Sequence, residues 1–183
     1  MESVGARPCV RRGGRLAHLT APVYRDFDYG SGPRRSVTVS WGDVSTAYYS
    51  TGIPDIDVYF PSSKMLEWSY GLGPLQKRFW QSPIGQWLIA YGIDKRAAGP
   101  SDEERAAANS VLIAEVVDGR RNKVVSKLTT PNGYELTAET ALEVARRVLA
   151  GDFKVGFQTP SNAYGADFIL GFDGVTRLDL TPS

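Results

Sequence analysis

The chain has 183 residues, 42% of them apolar, with 21 basic and 20 acidic side chains and a net charge of +1. That length supports a domain with its own core, and the near-zero charge argues against nucleic acid or an anionic membrane surface as partner. Cys9 is the one cysteine, so no intrachain disulfide forms, which fits a reducing compartment. No apolar run approaches the ~20 residues that cross a bilayer. The N-terminal arginines Arg7, Arg11, Arg12 and Arg15 precede no apolar stretch, so no secretory signal is read there and the cytoplasm is the expected location.

In chain order, residues 1–35 read as a segment leading into a domain over 36–183. Arg11 to Arg15 predicts a turn, followed by a short strand over Leu16 to Leu19. His18, the sole histidine, lies between apolar neighbours with no acidic or cysteine partner nearby, which supports neither a metal nor a general-base role. Asp26, Asp28, Gly30, Gly32 and Pro33 predict a loop.

From Ser36 the pattern alternates, with Val37, Val39 and Trp41 on one face and Thr38 and Ser40 on the other, until Gly42 ends it. Asp43 then opens a run crowded with hydroxyls: Ser45, Thr46, Tyr48, Tyr49, Ser50 and Thr51. After Gly52 and Pro54 a second strand follows, Ile56, Val58 and Phe60 against Asp57 and Tyr59, stopped by Pro61. A polar, glycine-punctuated segment between two strands can present hydroxyls at the end of a sheet, where ligand sites often lie. The competing explanation is that these hydroxyls satisfy their own backbone. Asp55 and Asp57 have strand spacing, point the same way and read as a solvated face.

After Pro61 the spacing becomes helical, through Met65, Leu66, Trp68, Leu72 and Leu75, with breaks at Gly71, Gly73 and Pro74. A second broken helical piece, Phe79 to Ile93, is interrupted at Pro83 and Gly85. Three of the four tryptophans lie here and either pack a helical layer or meet another subunit or domain. Ser101 and Glu104 have capping-box spacing. Val111 to Val117 is apolar on both parities, as in a strand covered on two sides. Asp118 to Asn122 predicts a turn and Lys123 to Leu128 its partner strand; Glu115, a carboxylate in an apolar strand, needs a partner. Thr137 is the predicted cap of a helix over Ala138 to Ala150 with an apolar stripe at Ala141, Leu142, Ala145, Val148 and Leu149, stopped by Gly151. Gly156 to Gly165 predicts a polar loop, and Val175 to Leu180 a final strand. The fold class expected is α+β, a mixed, largely antiparallel sheet with helices over one face.

The chain has no strand–glycine-rich turn–helix fingerprint for a dinucleotide, no phosphate-loop motif and no zinc-ligand cluster. Two blocks nevertheless carry a family likeness. One is the run Trp41 to Tyr59, WGDVSTAYYSTGIPDIDVY; the other is Gly133 to Ala138, GYELTA, continuing through Leu149-Ala150-Gly151 to Gly156-Phe157-Gln158-Thr159-Pro160-Ser161 and Tyr164-Gly165. Together they resemble the C-terminal half of saccharopine dehydrogenase-like oxidoreductases, in the branch labelled trans-acting enoyl reductase, from about Arg11 to Leu180.

The resemblance implies an α+β substrate-side and dimerisation domain that follows an N-terminal Rossmann domain binding NAD(P) in the full-length family. This chain lacks the glycine fingerprint, so no cofactor is expected on it alone. The cofactor domain is then expected in cis, with this chain a fragment, or in trans from a separate polypeptide. On this reading Asp43, Thr46, Tyr48, Ser50 and Thr51, with Thr159 and Tyr164 of the later loop, line a cleft for a small-molecule substrate. Tyr48, Ser50 and Thr51 orient a carbonyl or carboxylate, and Asp43 fixes a turn. A homodimer is implied, with no nucleic acid and no membrane span. A non-catalytic dimerisation or small-molecule-binding module remains the alternative.

Overall fold

The computed structural model describes residues 7–94 and 109–180. Residues Met1–Gly99 and Pro100–Ser183 form two units. The capping-box pair Ser101 and Glu104 lies outside the described residues. The architecture is α+β, and every strand pairing among the described residues is antiparallel. The strands form three separate sheets instead of a single one.

The first unit begins with a hairpin, β1 (Cys9–Arg12) and β2 (Arg15–His18). Its two-residue turn, Gly13-Gly14, has φ of +54° and +78°. A two-residue hairpin turn of this kind has positive φ at both central positions, and glycine supplies it without a Cβ clash. The second sheet orders β3 (Tyr24–Asp28), β4 (Pro33–Thr38) and β5 (Tyr59–Pro61) side by side. The sequence places a loop over Asp26 to Pro33; there the chain instead makes strand, turn and strand. Asp28 carries the turn by accepting from the backbone N–H of Gly30 at 2.8 Å and of Gly32 at 3.0 Å. The charged β3 has little apolar periodicity to betray it. Arginine–aromatic contacts stand in for it: along β3 the Arg25 guanidinium lies 5.0 Å from the Phe27 ring centre, and across to β4 Arg35 lies 4.4 Å from that of Tyr24.

The expected strand through Trp41 stops at Thr38, because the chain leaves the sheet to enter α1 (Asp43–Thr51). Likewise only Tyr59–Pro61 of the expected second strand joins β4; Ile56 bridges Arg11 of the first hairpin. Val10, Val37 and Val44 form the buried centre of the unit, with Ser36 and Thr38 beside them. Thr38 is satisfied on both sides: its hydroxyl accepts from the Val23 N–H at 2.9 Å and its carbonyl from the Tyr70 hydroxyl at 2.9 Å. Burial pushes the Tyr70 phenol up. Helices α2 (Lys64–Gly71), α3 (Pro74–Trp80) and α4 (Pro83–Asp94) follow, broken where glycine and proline predict. Gly85 does not break α4. It lies inside the helix and is buried where the backbone of α3 comes close.

The second unit orders β6 (Ser110–Val117), β7 (Lys123–Thr130) and β8 (Thr176–Leu180). The Asp118 turn joins β6 to β7 as expected, its carboxylate accepting from the N–H groups of Arg120 and Asn122. Glu115 has a partner, Lys123 Nζ at 2.6 Å. Helix α5 spans Gly133–Leu149 and is capped by Asn132, whose side chain accepts from the Tyr134 N–H at 2.9 Å. The cap is therefore not Thr137, which sits inside the helix and donates its hydroxyl back to the Gly133 carbonyl at 2.6 Å. The predicted apolar stripe faces water: Leu142 is 72% and Leu149 89% exposed. The Thr159 to Gly165 loop contains a short helix, α6 (Pro160–Tyr164), and a 3-10 turn follows at Phe168–Gly171. Among the described residues no helix is long and apolar enough to cross a membrane.

Glu143 of α5 is gripped by Arg146 at 2.8 Å and Arg147 at 2.7 Å. Hydrogen bonds from Arg146, then Arg147, pull its carboxyl from the ordinary 4.5 down to about 2. A carboxyl lowered in the folded state stabilises the fold above its ordinary value, and that contribution fades as pH falls from about 4.5 towards about 2. Carboxyl-carbon NMR should find Glu143 titrating last among the glutamates, and Glu143→Gln should remove its share of the acid limb of the second unit's stability.

Candidate functional site

The hydroxyl-rich run is a helix, not a loop, and this sorts its side chains. At helical spacing Asp43, Thr46 and Ser50 share one face, while Val44, Tyr48 and Thr51 share another. Val44 is buried and anchors the second face. Gly52, at φ +69°, ends the helix, its N–H bonding the Tyr48 carbonyl.

What holds α1 in place is Arg11, which the sequence gives no cause to single out. Arg11 is only 5% exposed. Its guanidinium donates to the carbonyls of Val44 at 2.9 Å, Gly14 at 2.6 Å and Ser45 at 3.1 Å, and lies 4.5 Å from the Tyr48 ring centre. One side chain thus ties the glycine turn to the first turn of α1. The segment after α1 closes the other side of the hairpin. Asp55 accepts from the Gly13 N–H at 2.9 Å, and Asp57 takes both its oxygens to Arg12 at 2.8 and 3.0 Å. The aspartates share a direction, as their spacing requires, but it is the hairpin they hold.

The candidate hydroxyls differ in what remains of them for a ligand. Thr46 donates to the Gly42 carbonyl at 3.2 Å and Thr51 to the Ala47 carbonyl at 2.7 Å, each the carbonyl four residues back. These two follow the competing explanation, that helix hydroxyls bond their own backbone. The Tyr48 hydroxyl lies beside Gly14, where an added Cβ would meet it at 3.3 Å, and makes no hydrogen bond among the described residues. Asp43 is exposed in the first turn, where the helix dipole favours a carboxylate. Tyr48 and Asp43 are therefore the members with polar atoms to spare.

Thr159 and Tyr164 belong to the second unit. Thr159 caps α6, accepting from the Asn162 N–H at 3.2 Å. Tyr164 donates to the Asp152 carbonyl at 3.1 Å, and its ring lies 4.9 Å below Arg147. Two grooves open on this unit. One of about 430 Å³ runs between α5 and Gly171–Asp173; one of about 350 Å³ lies over Lys127, Thr129 and Thr176. Neither is lined by a substrate-site residue expected from the sequence. His18 is exposed, its ring 3.4 Å from the Arg7 carbonyl. Among the described residues no group of three or more histidine, cysteine or acidic side chains is placed to hold a metal ion.

Two helix N-termini of the first unit bond their own side chains. A pyrophosphate cradle needs a glycine-rich turn between a strand and a helix N-terminus, with free N–H groups. The β5–α2 connection carries Ser62-Ser63, and Ser63 accepts from the Leu66 N–H. The start of α3 is filled by the Gln76 side chain on the Gly73 N–H. Comparison with family models, curated proteins and solved structures finds no match to this chain.

Proposed function

We propose that this chain is the substrate-side region of a saccharopine dehydrogenase-like NAD(P)-dependent oxidoreductase, with the dinucleotide-binding domain supplied in cis or in trans and the working form a homodimer. The observation that supports the reading is the pair of ordered sequence blocks that resemble that family. The first covers α1 and ends at the first residue of β5; the second covers α5 and α6. Within this reading Tyr48 offers its spare hydroxyl to a substrate carbonyl or carboxylate and Asp43 borders the same helix. Thr46, Thr51 and Thr159 hold backbone.

In an enzyme reconstituted with a dinucleotide-binding domain, Tyr48→Phe should raise KM about tenfold with little change in kcat, the loss of one hydrogen bond to a charged or polarised oxygen. Thr46→Ala and Thr51→Ala should leave both constants unchanged. Equal losses from all three variants would remove Tyr48 from the site.

The alternative, a non-catalytic dimerisation module, is favoured by one feature. Large apolar side chains stand exposed on α5 and on the second unit's sheet, as expected of surfaces that meet another chain.

A further inference from the structure

The sheet of the second unit ends in two strands of different character. β7 is paired on both sides, whereas β6 and β8 each have one free edge among the described residues. β8 carries Arg177 and Asp179, and Arg177 is tied to Asp167 at 2.7 Å. Charges of this sort keep an edge from recruiting another strand. β6 has no such protection. It is eight residues long, contains neither proline nor glycine, and pairs with β7 without a bulge over its full length. Its single charge, Glu115, is neutralised from within the sheet by Lys123 of β7. Leu112 is 52% and Val116 47% exposed. A long, flat, apolar edge presents a row of unpaired backbone groups ready to extend the sheet.

We propose that β6 pairs antiparallel with β6 of a second copy of this chain, across a two-fold axis normal to the sheet, so that two three-stranded sheets become one six-stranded sheet. A two-fold contact must be self-complementary, and this strand is. With Ala114 on the axis, Leu112 faces Val116 of the other copy, Ile113 faces Glu115 and Val111 faces Val117. Each residue then stays on its own face of the sheet, as the pleat demands. Glu115 never opposes itself, so the like-charge clash that would exclude self-pairing is absent. The smallest apolar side chain of the strand lies at the axis, where two identical residues must meet. Leu112 and Val116, left half in water by the single chain, become cross-strand neighbours.

The family reading implies a homodimer without naming its contact; this inference stands on the edge itself, and its failure leaves that reading intact. The test is the mass of the whole chain in solution, by light scattering or sedimentation equilibrium. Wild type should run at twice the 20.0 kDa of one chain. The double variant Leu112→Lys/Val116→Lys, which sets lysine against lysine, should run as a monomer with an unchanged far-ultraviolet spectrum. The charge-swapped variant Leu112→Glu/Val116→Lys, which sets glutamate against lysine, should recover the dimer and lose it in high salt; it also guards against misfolding of the first variant. Hydrogen exchange should show β6 amides protected in the wild-type dimer and exposed on dilution to monomer. A monomeric wild type, a dimer that survives the lysine pair, or β6 amides equally protected in the monomer (as when another stretch of the same chain covers the edge) would each overturn the proposal.

Discussion

Arg11→Met should lower the unfolding free energy of the first unit by about 3 kcal/mol. The guanidinium is buried and no carboxylate among the described residues neutralises it; three carbonyls and the Tyr48 ring solvate its charge instead. Methionine fills much of the same volume but leaves those carbonyls without their donor. Lysine keeps the charge, yet cannot fork to three acceptors at once, so Arg11→Lys should also destabilise. The internal control is Arg12→Met. The Arg12 side chain is 43% exposed and pairs with Asp57 at the surface, which is worth less than about 1 kcal/mol. All four tryptophans lie in the first unit, so their fluorescence in a urea titration follows that unit alone. Equal losses from the two arginine variants would show that Arg11 is not the tie between the hairpin and α1.

Gly85→Ala should cost about 2 kcal/mol or more and disturb the tryptophan environment. Helix propensity alone predicts the opposite, since alanine inside a helix gains about 1 kcal/mol over glycine. Contact geometry decides the sign. A Cβ at Gly85 would lie 2.3 Å from the Phe79 carbonyl oxygen and 2.7 Å from the Trp80 Cα, and both obstacles are backbone. The corner is already tight: the Ser82 hydroxyl donates to the Phe79 carbonyl at 2.6 Å and accepts from the Gly85 N–H at 3.2 Å, while Gln86 reaches the Trp80 carbonyl at 2.7 Å. Opening it would part Trp80 from Trp68, now edge to face at 5.6 Å. Near-ultraviolet dichroism and urea midpoints read the effect. Gly92→Ala, in the same helix with open space around it, should instead stabilise slightly.

Where local chemistry and tertiary structure agree, the elements are legible in the sequence. The Gly13-Gly14 and Asp118 turns are such places; β6 and α5 are legible as elements, but among the described residues β6 is an edge strand and not one covered on two sides, and the apolar stripe of α5 faces water. Where tertiary contacts override local preference, they are not. Ser45, Thr46, Tyr48 and Thr51 are indifferent helix formers with no apolar stripe, so α1 reads as a loop; Val44 and the clasp of Arg11 hold it as a helix. β3 has too little apolar alternation to register as a strand, because arginine–aromatic contacts along it and to β4 replace apolar pairs. The candidate site was legible as a set of residue types. Which hydroxyls remain uncommitted depends on the helix itself, since only in a helix can Thr46 and Thr51 bond the carbonyl four residues back. Tyr48 makes no hydrogen bond among the described residues, and its hydroxyl is the one assigned to a substrate under the proposed function.

The most direct measurement is a titration of NADPH followed by nicotinamide fluorescence, first with the purified chain and then with the chain plus a separately produced saccharopine dehydrogenase-type dinucleotide-binding domain. The chain alone should give no change at millimolar nucleotide, and the domain's nicotinamide emission should shift once this chain is added. Tight NADPH binding by the chain alone, or two polypeptides that ignore each other, would contradict the proposed function.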